Sequence, residues 1–158
     1  MKILAVSAVI IGLDQITKTL IKNSLNLFDS VPVIENFFHF TFIKNSGMAF
    51  GLNFPGGIYF FTIASFILTC VLFWLLWKER YSSIYIRLSL AFIIGGAIGN
   101  LIDRILYREV VDFLDFMIGD YHWYIFNLAD AAVSVGMTIL VIHTICFTPK
   151  QSDTALSP

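Results

Sequence analysis

Four apolar runs, each close to the length needed to cross a bilayer, leave this chain little choice of architecture. They extend over about residues 3–21, 58–77, 86–106 and 124–147 of the 158. In hydrocarbon every backbone N–H and C=O must be satisfied within the segment itself, so runs of this length are expected to be helices. The fold class expected is an α-helical integral membrane protein with four transmembrane helices. One domain over residues 1–148 and a polar C-terminal tail over 149–158 complete the expected organisation. A signal peptide is the competing reading of the first run, since Lys2 precedes an apolar stretch to Leu13. No small-x-small cleavage site follows, and the chain runs on as DQITK, so a retained span is expected.

The net charge of −1 gives no footing for nucleic-acid binding. Cys70 and Cys146 lie within apolar runs and are expected to be buried small hydrophobes rather than a disulfide or a metal site. His39, His122 and His143 are scattered and form no HExxH pattern. No metal and no cofactor are therefore expected.

Between the first two runs the chain changes period. VPVIENFFHFTFIKN alternates, with Phe38, Phe40 and Phe42 to one side and His39 and Thr41 to the other, which predicts short strands. NSGMAFG then supplies turn punctuation. A small β-cradle over about residues 23–55, outside the bilayer, is expected, with His39 on its solvent side. The later connection REVVDFLDFMIGDYHW is expected to lie along the interface as a short amphipathic stretch. Thr62 and Thr69 in the second run are expected to bond back to their own helix. Ala91, Gly95 and Gly99 recur every four residues in the third run and form a face that another helix can approach closely.

The polar residues do not scatter. With four spans, the exits of the first and third and the entries of the second and fourth share one side of the membrane. Asp14 and Lys18, spaced to pair on one helix face, sit at that side, as do Asn100, Asp103, Arg104, Asn127 and Asp130. Asn45 and Asp112 fall in the two connections there. The opposite half is nearly free of ionisable groups, so a shallow polar site is expected and a pathway through the membrane is not. Asp130 is expected one to two turns inside the fourth helix, roughly 8 Å deep at 1.5 Å per residue. The basic residues divide evenly between the two sides and leave the orientation open, with a lean toward termini inside.

Two carboxylates close together in a poorly solvated place share a proton. The ionised member can take a proton from water while the protonated one polarises a carbonyl, which is amide hydrolysis without a metal or a covalent nucleophile. Asp112 and Asp130 can meet because a short connection separates them. Asp115 and Asp120 are rivals for the loop position, with solvated turn roles the simpler reading. From spacing alone Asp130 reads equally well as an aspartate stabilising its helix N-terminus. Asp103 and Arg104 read as structural charges that pair to hold the loops. Two other classes stay open on this evidence. One is a small proton-coupled transporter or channel subunit, with Thr138 and His143 as its hints. The other is an assembly subunit built on the small-residue face.

DQITK (Asp14–Lys18), NSGMAFG (Asn45–Gly51), GGAIGNLIDR (Gly95–Arg104), VVDF (Val110–Phe113) and FNLAD (Phe126–Asp130) together resemble the lipoprotein signal peptidases, also known as signal peptidase II. The five motifs stand in the family's order and cover nearly the whole chain before the tail. Met48 stands where alanine is common in the family, and Tyr124 where a proline often precedes the FN pair. The resemblance implies an aspartic endopeptidase of the bacterial cytoplasmic membrane, with cytoplasmic termini and its site near the extracytoplasmic surface; a monomer is expected. It implies Asp112 and Asp130 as the catalytic dyad. Asp14, Lys18, Asn45, Asn100, Asp103, Arg104 and Asn127 are then positions that shape or bind at the site. The implied partners are membrane lipids and a prolipoprotein, cut just before its lipid-modified cysteine.

Overall fold

The computed structural model describes residues 2–46, 56–119 and 121–147. Gly47–Gly51 of the turn motif (Met48 among them), Asp120 and the tail over 149–158 lie outside the described residues. Helices α1 (Leu4–Ser24), α2 (Gly57–Lys78), α3 (Ile84–Tyr107) and α4 (Leu128–Phe147) are each long and apolar enough to span a membrane. An 18-residue stretch of each has a mean hydropathy of 1.5, 2.2, 1.6 and 1.8 in turn.

Helix α3 is the hub, packed by α4, α1 and α2. Between helices in lipid there is no hydrophobic drive, so close backbone approach through small residues has to supply the packing energy. A Cβ on Gly95 would lie 2.9 Å from Ile10 Cβ of α1, and one on Gly99 would lie 2.7 Å from Asp14 Oδ2. The small-residue face thus meets α1, where Ser7 Oγ also donates to the Ala91 carbonyl at 2.8 Å. A second face reaches α4: a Cβ on Gly96 would lie 2.2 Å from the Ala129 carbonyl oxygen. Helix α2 packs through Leu72 and Leu76 against Leu90, Ile93 and Ile94. Its outer side presents Ile63, Phe66, Ile67 and Trp74. Thr62 and Thr69 bond back to Ile58 and Ser65 carbonyls as expected. Cys70 and Cys146 are free and exposed on the helix surfaces, not buried. A thiol is apolar enough that a lipid-facing position costs it nothing.

Strands β1 (Ser30–Ile34), β2 (Phe38–Asn45), β3 (Val110–Ile118) and β4 (Tyr121–His122) form an antiparallel sheet in that order. The hairpin between the first two helices was expected. The second half of the sheet was not: the connection expected to lie along the interface is strand β3, paired to β2 from Phe38↔Phe116 to Asn45↔Val110. Val110 to Phe113 is buried at every position, so the inside–outside alternation that marks a half-exposed strand is missing from its sequence. A bulge between Phe40 and Ile43 brings Ile43 opposite Asp112. Phe42, Val111 and Phe113 pack on Ile21 and Leu25, seating the sheet on the end of α1. Phe116 stacks between Phe38 and Phe126 at ring centroid distances of 4.7 and 5.9 Å.

Candidate active site

Two clusters of acids lie side by side where the sheet meets the helices. In the first, Lys18 Nζ lies 2.8 Å from Asp14 Oδ2 and 2.9 Å from Asp103 Oδ2, with all three side chains 2% exposed or less. The i, i+4 spacing within α1 makes the first pair, and α3 delivers the second acid. Gln15 Nε2, which sequence reasoning passed over, donates to Asp14, to Asp103 and to the Gly99 carbonyl. Asp14 Oδ1 accepts the Ala129 backbone N–H at 2.9 Å, so α1 supplies one of the acceptors that the first turn of α4 needs.

The second cluster joins β3 to α4. Helix α4 begins at Leu128, four residues later than expected, because Phe126 is held by an extended bridge to Leu114. Asn127 is therefore the N-cap, and Asp130 sits in the first turn instead of deeper in the helix. The Asp130 N–H donates to Asn127 Oδ1 at 3.0 Å, and the Asn127 N–H donates to Asp130 Oδ2 at 3.3 Å. This is a capping box, so the helix-stabilising reading of Asp130 holds as well. Its other oxygen accepts from Asn100 Nδ2 at 2.8 Å.

Asp112, 2% exposed, accepts from Asn127 Nδ2 at 2.6 Å and from Asn45 Nδ2 at 3.3 Å. Asn127 thus holds both carboxylates at once, donating to Asp112 from its side-chain amide and to Asp130 from its backbone N–H. Asn100 Oδ1 accepts from Lys18 and from Asn127, linking the two clusters. Burial pushes the Asp112 carboxyl up to about 7, with the Asp130 charge adding to the rise, while the Asn127 and Asn45 amides oppose it. Near neutral pH this group is divided between acid and carboxylate, a state in which it can give or take a proton. A cavity of about 480 Å³ opens beside Asp130, lined with it by Trp123, Tyr124, Phe126, Val133 and Ser134.

The sequence-predicted residues from Asp14 to Asp130 converge as expected, with one difference in partnership. Asp103 pairs with Lys18, but Arg104 forms no ion pair among the described residues, and its buried Nε has no partner there. It lies close enough to Asp130 and Asp112 for their charges to act on it. Tyr124 adds a group that the sequence did not single out for chemistry. Its hydroxyl accepts from Asn45 Nδ2 at 3.0 Å, and its pKa is raised by burial and by Asp112 and Asp130.

Asp115 is no solvated turn residue. Three positions beyond Asp112 on β3, it is fully buried, accepts from Thr41 Oγ1 at 2.6 Å and lies 3.0 Å from His122 Nδ1. His39, opposite it in register, is half-buried with Nδ1 3.1 Å from Ser30 Oγ, not simply solvent-facing. The transporter reading fails. Thr138 bonds back to the Ser134 carbonyl within α4, and His143 Nε2 lies 2.9 Å from Ser83 Oγ at the far end of the bundle. Neither continues the polar site across the membrane.

Comparison with known proteins agrees with this geometry. Residues 6–146 match the family model of signal peptidase (SPase) II. The lipoprotein signal peptidase of Desulforapulum autotrophicum is 45% identical over 145 residues, covering 89% of each chain. That of Syntrophus aciditrophicus is 42% identical over 148 residues, 90% of this chain and 91% of the relative. A bacterial membrane enzyme solved by the in meso method at 2.3 Å superposes with a TM-score of 0.84 at 30% identity, over 99% of this chain and 94% of the other. Four membrane-crossing helices and these relatives describe a multi-pass bacterial membrane protein, and the chain belongs to the signal peptidase II family.

Proposed function

We propose that this protein removes signal peptides from lipoprotein precursors, cutting before the lipid-modified cysteine, with Asp112 and Asp130 as its acid–base pair. The observation that carries this reading is the shared hold of Asn127 on the two acids, beside an open cavity and, among the described residues, without a cation in ion-pair contact with either. The reaction starts from the form with Asp112 protonated and Asp130 ionised. Asp130 takes a proton from water as the water oxygen attacks the scissile carbonyl, and Asp112 gives its proton to the carbonyl oxygen, forming a gem-diol. Asp130 then protonates the leaving amide nitrogen while one diol hydroxyl returns its proton to Asp112, and the C–N bond breaks. Breaking of the C–N bond thus leaves Asp112 protonated and Asp130 ionised, as at the start.

Asn45, Asn100 and Asn127 orient the pair. Asp14, Lys18 and Asp103 fix α1 to α3 and α4 beneath it, and Arg104, with an unpartnered Nε, meets the substrate backbone or lipid ester. The site faces the extracytoplasmic surface and both termini face the cytoplasm. The supports for this placement are the family resemblance and the shallow position of Asp130, in the first turn of α4. A substrate whose acyl chains stay in the bilayer can reach such a site without leaving the membrane.

The test is cleavage of a diacylglyceryl-modified prolipoprotein by purified protein, wild type beside Asp112→Asn and Asp130→Asn. Loss of cleavage in both variants with folding retained supports the dyad. Cleavage by either variant at the wild-type rate would remove that residue from the chemistry. Inhibition by EDTA that a divalent metal reverses would sink the metal-free mechanism. Reporter fusions at the termini test the orientation separately.

A further inference from the structure

At the end of the bundle opposite the carboxylates lies a cavity of about 400 Å³ lined by Lys2, Ile3, Val6, Arg80, Ile84 and Arg87. Three cations around one cavity repel each other unless an anion joins them. The ion pairs among the described residues involve Lys18, Lys44 and His122, and none involves these three. The nearby Glu79 carboxylate accepts from Ser82 Oγ instead. Arg87 Nε is buried and has no hydrogen-bond partner among the described residues, a state that is costly for a charged donor. Arg80 is held in place by a bond from Nη1 to the Trp77 carbonyl and by contact with the Trp77 and Tyr81 rings, leaving its other donors available.

Val6 also lines a second, wholly apolar groove of about 540 Å³ that runs between α1 and α4 over Phe92. Its walls include Val9 and Leu13 of α1 and Ala132 and Val135 of α4. From Ala5 to Leu13 it extends about 12 Å along the helix, against roughly 15 Å for one leaflet of the hydrocarbon core. A basic cavity at the surface that continues into an apolar groove of leaflet depth matches the two ends of one molecule, a phospholipid.

We propose that this is a binding site for one anionic glycerophospholipid, its phosphate on Lys2, Arg80 and Arg87 and one acyl chain in the α1–α4 groove. A zwitterionic lipid fits the groove equally well, but its ammonium opposes the three cations. A water-soluble anion satisfies the cations and leaves the groove without a partner. The bound chain would fill the shallow contact between α1 and α4, which touch each other far less than each touches α3. The site is independent of the proposed peptidase chemistry, since it shares no residue with it.

The experiment is native mass spectrometry and thermal unfolding of the full chain in detergent, titrated with phosphatidylglycerol, phosphatidylcholine or inorganic phosphate. One phosphatidylglycerol retained per chain, with a rise in Tm that phosphatidylcholine does not give, is expected. Each cation removed should weaken that binding about fivefold, so Lys2→Gln with Arg87→Gln should lose roughly 25-fold and leave phosphatidylcholine binding unchanged. Val9→Trp, at a position 60% exposed and therefore tolerant, should fill the groove and weaken both lipids. Equal binding of the two lipids, wild-type affinity in the double variant, or displacement of the lipid by inorganic phosphate at comparable concentration would each overturn the proposal.

Discussion

The two acid clusters contain the same ingredients and differ by one side chain. Asp14 and Asp103 are buried carboxylates that share a lysine within 2.9 Å. Asp112 and Asp130 are met by amides and backbone N–H groups and have no cation within ion-pair distance among the described residues. A cation settles the charge of its neighbours, and the cluster becomes a rivet between α1 and α3. Amides orient a carboxylate while leaving its proton negotiable, and the cluster can then do chemistry. Lys18, through Asn100, is one hydrogen bond removed from the pair it does not neutralise.

The largest expected effect breaks the chemical cluster. Asp112→Asn and Asp130→Asn should each lower cleavage by at least about 10²- to 10⁴-fold, read as initial rates on a lipidated precursor. The same Asp112→Asn variant should raise Tm at pH 8 and leave it nearly unchanged at pH 4. The sign follows from a folded pKa raised to about 7 from 3.8: the folded state holds this proton better than the unfolded one. That contribution is complete below about pH 4 and is lost as pH rises toward 7. An amide carries no such penalty.

Breaking the other cluster should act on stability instead. Lys18→Met leaves two buried carboxylates without their cation and should cost about 3–5 kcal/mol in thermal unfolding. If Lys18→Met unfolded no more easily than wild type but lost activity, the division between rivet and reactor would be wrong. Gly96→Ala should cost about 1–3 kcal/mol and some activity, since its Cβ meets the Ala129 carbonyl one residue from Asp130. Cleavage should fall on the alkaline side near pH 7 as Asp112 loses its proton, measured as a pH–rate profile. The smallest change is expected from Tyr124→Phe, which removes one acceptor from Asn45 and should slow cleavage by a few-fold, about 0.5–1.5 kcal/mol.

The helices were legible because span length and hydropathy are one-dimensional properties, and so was the convergence of Asn45, Asn100, Asp112, Asn127 and Asp130, which follows from four spans alone. Strand β3 was hidden by being buried on both faces. The capping box was spelled out in FNLAD, yet its boundary was missed because an apolar IFNL preceding a helix looks like more helix. Asp115 went unrecognised for a different reason: its partners Thr41 and His122 are defined by strand pairing, which spacing does not reveal.

The pairing of β2 with β3 also sets an order of events in the life of the chain. Asn45 and Val110 are neighbours in the sheet, but two membrane crossings are synthesised between them. Until α3 has been threaded, the hairpin of β1 and β2 waits with one edge unsatisfied, exposed to any other strand in reach. Asp112 arrives with β3, and Asn127, which must hold it, arrives only as α4 begins. A half-inserted protein therefore has no assembled Asp112–Asp130 pair, and under the proposed mechanism the last helix to enter the bilayer arms the enzyme.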